Sequence, residues 1–325
     1  MRVLVTGGAG YIGSVIAARL LAAGHRVTVY DDLSRGHRAA VPDDADLALG
    51  DIRDATRLEA TLLAADCEAV VHMAALAEVA ESVAEPKLYA DVNLRGCEAL
   101  VGAVRSSSVS RIVFSSTAAV YGVPERLPID EDERLTPTNP YGDTKLAGER
   151  VLFDAQEASR GRLAVCALRY FNAAGADGDR GEDHDPESHL VPIALRAARD
   201  GLTMQVFGDD YDTPDGTCVR DYVHVLDLAA AHVAALERLP EAAGAYNLGT
   251  GTGNSVLDVL RAAEKTTGRD VDFVVAPRRR GDPPVLVASH ARAAAVLDWT
   301  PQRSLDDIVT DAWTWLRQHP DGYAD

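Results

Sequence analysis

Short apolar runs rich in β-branched residues recur along the chain: RVLVTG at 2–7, HRVTVYDD at 25–32, EAVVHMAA at 68–75, SRIVFSST at 110–117 and LAVCALRYFN at 163–172. Between them lie amphipathic segments with helical spacing, the first being IGSVIAARLLAAG at 12–24. Strands alternating with amphipathic helices predict an α/β protein whose doubly wound parallel sheet carries helices on both faces. After Asn172 the texture changes to AAGADGDRGEDHDPES, a polar, glycine-rich loop that predicts the start of a smaller, substrate-facing α/β region. The expected boundaries are 1–172 for a dinucleotide-binding domain and 173–325 mainly for a substrate-binding domain. Strand-like segments GTCVRDYVHV and GAYNLGTG predict returns to the first domain near 219–250.

Composition narrows the partners. Hydrophobic residues make up 47% of the 325 and charged residues 25%, ordinary for a globular chain. A net charge of -18 argues against nucleic acid or an anionic membrane surface, since both need clustered lysine and arginine. An anionic ligand must then be met by locally placed arginines and helix N-termini. Cys67, Cys97, Cys166 and Cys218 are widely spaced and read as reduced packing residues. A strand beginning at residue 2 leaves no room for a signal peptide, and no apolar run reaches spanning length, so a cytoplasmic enzyme is expected.

The first strand leads into Gly7, Gly10 and Gly13, spaced G-x-x-G-x-x-G at the mouth of a helix. Glycine lets the backbone approach a pyrophosphate whose charge then lies at the helix N-terminus. The second strand delivers Asp31 about twenty residues on, completing a Rossmann-type fingerprint. A carboxylate there binds ribose hydroxyls and repels a 2'-phosphate, which favours NAD over NADP, although Arg35 and Arg38 lie nearby. Asp51 suits an adenine contact or the N-cap of the helix DATRLEATL. Small side chains in HMAAL at 72–76 would let the backbone approach the cofactor, and Asn93 reads either as a polar bridge inside a helix or as a solvent-exposed side chain.

In NPYGDTKLAGE at 139–149, Tyr141 and Lys145 stand at i and i+4 on one helix face, after a helix-start proline. A lysine ammonium and a cationic nicotinamide favour phenolate, making the phenol a base near neutral pH. Ser115, Ser116 and Thr117, at the end of a strand, offer a hydroxyl to both the tyrosine and a substrate oxygen. Arg220 and Arg279 have the forked donors that a diphosphate needs, or else form surface ion pairs. EDHDPESH contains Asp183, His184, Asp185 and His189, but its spacing matches no zinc motif and predicts an acidic, solvated loop without metal. Trp299, Trp313 and Trp315 read as packing residues.

TGGAGYIGS, SSTAAVYG, NPYGDTK, LRYFNAAGA, GTCVRDYVHVLDLA, YNLGTGTGNSVLDV, APRRRGDPP and HPDGYAD follow one another in the order found in the UDP-glucose 4-epimerase family, which the chain resembles over essentially its whole length. That family is an extended branch of the short-chain dehydrogenase/reductase superfamily. The resemblance implies a homodimer, tightly held NAD and reversible interconversion of UDP-glucose and UDP-galactose. In that chemistry Tyr141 takes the proton of the sugar 4-hydroxyl as hydride passes from C4 to NAD, and the 4-keto sugar turns over before hydride returns. Lys145 would lower the tyrosine pKa and bind the nicotinamide ribose, and Thr117 would bind the 4-oxygen.

The resemblance places cofactor contacts on Gly7, Gly10, Tyr11, Ile12, Gly13, Asp31, Asp32, Leu33, Ser34, Asp51, Ile52, Ala74, Ala75, Leu76, Asn93, Tyr141, Lys145 and Phe171. Substrate contacts fall on Thr117, Tyr141, Asn172, His189, Leu190, Val206, Phe207, Arg220, Arg279, Asp282 and Leu286. Departures from the family are Thr117 for serine, Asp32 for asparagine, Ala77 for lysine and His189 for asparagine. A tyrosine at the position of Leu286 excludes N-acetylated sugars in the family, so Leu286 implies some activity on UDP-N-acetylglucosamine. Nucleotide-sugar dehydratases and decarboxylases share the first oxidation, but in them carboxylates follow the strand-end hydroxyl, where this chain has Ala118 and Ala119. A non-catalytic NAD-binding regulator would not need Thr117, Tyr141 and Lys145 together.

Overall fold

The computed structural model describes residues 1–279 and 281–324. Strands β1 (Arg2–Thr6), β2 (Arg26–Asp31), β3 (Asp46–Leu49), β4 (Ala69–His72), β5 (Arg111–Thr117) and β6 (Ala164–Tyr170) carry the apolar runs. Four short strands follow in the chain, β7 (Asn172–Ala174), β8 (Met204–Phe207), β9 (Val219–His224) and β10 (Gly244–Leu248). Three more are β11 (Gly253–Ser255), β12 (Phe273–Ala276) and β13 (Val285–Leu286). The large sheet has the order β10-β6-β5-β4-β1-β2-β3, every pair parallel. This is the doubly wound sheet expected from the pattern.

Alternation along the strands divides two cores. Val3 and Val5 of β1 face one layer, with α1 (Tyr11–Ala22) and a late helix, Val225–Arg238. Leu4 faces the other, with α2 (Ala55–Ala64), the helix Arg95–Val104 and the first catalytic-motif helix, Pro140–Ala158. Strand order reverses between β1 and β4, and in such sheets ligands bind outside the carboxyl ends of the strands at that switch point. Gly7, Met73 and Thr117 all lie there.

Beyond β6, β9 pairs with β7 and β13 in parallel and with β11 antiparallel, while β8 pairs with β12. Strands β7, β8 and β9 and the helices Leu190–Asp200, Val256–Thr267 and Leu305–Gln318 share a third core, that of the smaller second domain. β10 lies in the large sheet, whereas β9 lies in the small one. Trp299 and Trp315 are buried and Trp313 packs against the third core. All four cysteines are buried and free. Among the described residues no helix is long and apolar enough to cross a membrane.

Candidate active site

The glycine turn shows why its spacing is fixed. Gly7 has φ +69°, and a Cβ on it would stand 2.5 Å from the Ala74 backbone nitrogen. A Cβ on Gly13 would meet the Gly7 carbonyl at 2.1 Å, so any larger residue would push α1 away from the turn. At the end of β2, Asp31 is buried, with Oδ2 accepting from Ala9 N at 3.0 Å and Oδ1 from Leu33 N at 2.9 Å. Burial raises its pKa above the usual carboxylate value. Arg35 is committed to Glu81 at 2.5 Å.

Asp51 does not cap a helix: Asp54 does, accepting from Arg57 N at 3.0 Å. Asp51 instead accepts from Arg53 Nε at 2.8 Å, and Arg53 also reaches Asp91 at 2.5 Å. Asn93 is the polar bridge read from the sequence. It sits in a π-helical turn, Ala90–Leu94, accepts from Leu76 N at 2.8 Å and donates to Leu76 O at 3.0 Å and Thr144 Oγ1 at 3.1 Å. It thereby ties the loop after β4 to the helix that carries Tyr141.

That helix, Pro140–Ala158, starts on an Asn139 cap whose side chain accepts from Gly142 N at 2.8 Å, with Pro140 in the first turn. Tyr141 and Lys145 project from one face into the cavity, as the i, i+4 spacing requires. Tyr141 shares a hydrogen bond with Thr117, which is buried at the end of β5. Lys145 Nζ donates to Ser115 O at 2.9 Å. Burial pushes the Tyr141 phenol up to about 12, with the Thr117 hydroxyl working against the rise. Lys145 is pushed down to about 8 by the same desolvation. Its ammonium lies 6.0 Å from the tyrosine ring centroid.

Below these groups lies a buried polar network. Glu149 accepts from Arg169 Nε at 2.9 Å and Nη2 at 2.7 Å, and from Ser116 Oγ at 2.5 Å. Arg169 donates to Tyr121 at 2.9 Å, and Tyr121 to Asn247 at 2.7 Å. The network joins β5, β6, β10 and the catalytic-motif helix under the Thr117 position.

One cavity of about 1310 Å³ runs from the glycine turn past Thr117, Tyr141 and Lys145 to Arg220 and Arg279. Of the cofactor and substrate contacts expected from the sequence, Leu33, Asp51 and Asn93 do not line it; the others do. Arg220 has Asp282 at 3.9 Å, and the Arg279 guanidinium stacks on Phe207 at 4.1 Å. The loop after Asn172 differs from its solvated reading: Glu182 is buried, and Glu182 and Glu187 join the cavity lining, as does Glu78 from the polar loop after β4. Sequence reasoning does not reach these three, because nothing periodic marks a polar loop that folds back on itself.

The profile of the NAD dependent epimerase/dehydratase family matches residues 3–249, and the chain belongs to that family. Within the family its likeness is to UDP-glucose 4-epimerases. The Corynebacterium glutamicum UDP-glucose 4-epimerase is 48% identical over 322 residues, 97% of this chain and 95% of that protein. Among solved structures, the UDP-glucose 4-epimerase from Brucella ovis in complex with NAD is 48% identical, with TM-score 0.92, covering 96% of this chain and 97% of its own. The Bifidobacterium longum UDP-glucose 4-epimerase in complex with NAD+ and UDP is 38% identical, with TM-score 0.94, over 99% and 100%.

Proposed function

We propose that the chain interconverts UDP-glucose and UDP-galactose by transient oxidation at the sugar C4, with NAD retained throughout. The observation that carries this reading is the single cavity joining the glycine turn and Asp31 to Thr117, Tyr141 and Lys145 and then to Arg220 and Arg279. The cofactor end fits a dinucleotide: Gly7 and Gly13 leave no room for side chains where a pyrophosphate approaches, and Asp31 stands at the ribose position. Bound NAD would supply the acceptor for the C4 hydride and a positively charged ring beside the phenol. Gly7, Gly10, Tyr11, Ile12, Gly13, Asp31, Asp32, Ser34, Ile52, Ala74, Ala75, Leu76 and Phe171 would hold it, and the bridge at Asn93 would position Leu76.

Tyr141 takes the 4-hydroxyl proton and returns it, one phenol serving both half-reactions. Thr117 holds the 4-oxygen and the phenol together. Lys145, fixed by the Ser115 carbonyl, anchors the nicotinamide ribose. Arg220 and Arg279 meet the diphosphate, with Phe207, Val206 and Asp282 at the uridine and Asn172, Leu190 and Leu286 near the sugar. Ala118 and Ala119 wind as a 3-10 turn and offer no carboxyl for eliminating water, which favours epimerisation over dehydration. Leu286 in place of tyrosine extends the substrates to UDP-N-acetylhexosamines. We take residues 1–172, with returns near 219–250, as the cofactor domain and 173–325 mainly as the substrate domain, in a cytoplasmic homodimer.

The test is to incubate the pure chain with UDP-galactose and no added cofactor and to separate the products. UDP-glucose is expected. A 4-keto-6-deoxy product, or no turnover while NAD is bound, would overturn the reading.

A further inference from the structure

Glu182, His184, Glu187 and His189 bring one ligand atom each to within 4.8 Å of one another. They come from a single loop, E-x-H-x-x-E-x-H, that ends at the N-cap of the helix Leu190–Asp200. His184 Nδ1 and His189 Nδ1 both face Glu182 Oε1, at 3.3 Å and 2.5 Å, and His189 Nδ1 lies 3.7 Å from Glu187 Oε1. The buried Nδ1 atoms of both histidines meet Glu182 only as ion-pair contacts without hydrogen-bond geometry, and Oε2 of Glu187 accepts no hydrogen bond, with Arg196 3.8 Å away. Glu187 itself is 6% exposed at its side chain. Buried polar atoms are rarely left unpaired, so this convergence of nitrogen and oxygen lone pairs calls for a partner that accepts them all.

From this geometry we propose that the loop binds one divalent transition-metal ion of the zinc class. Imidazole and carboxylate ligands at about 2.0–2.2 Å in a tetrahedral zinc site stand about 3.3–3.5 Å apart, close to two of the separations here. Two carboxylates balance a divalent ion with both imidazoles neutral. Arg196 stays 3.8 Å from Glu187 and 3.9 Å from Asp183, at the outer side of the loop. Four protein ligands leave no open position, which makes the ion structural rather than catalytic.

Its effect would be to pin the cavity wall. Asp183, the neighbour of the first ligand, accepts from Tyr323 N at 2.9 Å, and Ser188 donates to Glu78 beside the cofactor region. Closing the four ligands on one ion fixes the loop between these two anchors. It also directs His189 Nδ1 to the metal, which accounts for a histidine standing where the family has an asparagine toward substrate.

The test uses the full chain with its bound NAD, stripped by chelator and dialysed against trace-metal-free buffer. Equilibrium dialysis with Zn2+ should return one ion per chain, with a rise in Tm, and Co2+ should give the intense visible bands of a tetrahedral ion. His184→Gln, whose side chain is partly exposed and tolerant of change, and Glu182→Gln should each weaken Zn2+ binding by more than about 100-fold, beyond the 10–100-fold usual for outer-shell changes. Asp185→Asn, in the same loop but outside the cluster, should bind as the parent does. Zn2+ binding unchanged in His184→Gln, or no stoichiometric ion on the parent chain, would overturn the proposal. Both readouts are independent of sugar turnover, so they fail or succeed separately from the epimerase reading.

Discussion

At the scale of residues, the proposed proton carrier is one phenol whose environment resists ionisation. Desolvation pushes Tyr141 up to about 12, and the hydroxyl of Thr117 opposes the rise. Tyr141→Phe keeps the packing against Tyr89, 6.5 Å away edge to face, and removes only the proton carrier. Turnover should fall by ~10²–10⁴-fold, measured by coupled UDP-glucose release, with NAD still bound by absorbance. Near-normal turnover would rule out the mechanism. At Leu286, tyrosine would occupy the space beside the sugar. Leu286→Tyr should abolish turnover of UDP-N-acetylglucosamine while leaving UDP-galactose close to the parent rate, a split that chromatography of both reactions resolves. The i, i+4 pair was legible in NPYGDTK. That burial opposes ionisation of the phenol was not, because desolvation depends on what the rest of the chain packs around the ring.

At the scale of elements, the strand end and the helix start must stay in register for the two hydroxyls to meet. The Glu149–Arg169 pair, with side chains 3% and 5% exposed, clamps the helix to β5 and β6 through Ser116. Glu149→Gln would leave the Arg169 guanidinium buried without its counter-charge, a loss of about 3–5 kcal/mol. Urea unfolding should show it, and Arg169→Met added to that variant should recover part of it, since removing both charges removes the unpaired one. Little or no destabilisation in the single variant would show that the clamp is dispensable. The sequence marks Arg169 only as a charge inside an apolar run. Its partner lies 20 residues away and across a layer, so no local pattern connects them.

At the scale of the molecule, two histidines are folded into the layers as neutral groups. His72, hydrogen-bonded to Thr6 Oγ1 at 2.7 Å, is pushed down to about 3 by burial, and His232, against Tyr170 and Leu228 O, to about 4. Unfolded, each titrates near 6.5, so below that pH the unfolded chain binds protons that the folded chain does not, and stability falls as pH drops. Carboxylates held low, such as Asp51 against Arg53, add their own loss only below the ordinary carboxylate pKa of about 4. Tm should decline between pH 6.5 and 4.5, and the decline should shrink in His232→Gln; a flat profile in the parent would contradict the neutral assignment. The sequence by itself determined the parallel sheet, the glycine turn, the acid at the end of β2 and the Thr117, Tyr141 and Lys145 set, because strand and helix periods and short spacings are local properties of a chain. Tertiary structure alone decided that Asp54 rather than Asp51 caps its helix, that Asn93 serves Leu76, and that EDHDPESH turns its glutamates and histidines inward. Those outcomes depend on which side chains meet across layers, where burial and pairing are fixed by packing rather than by order along the chain.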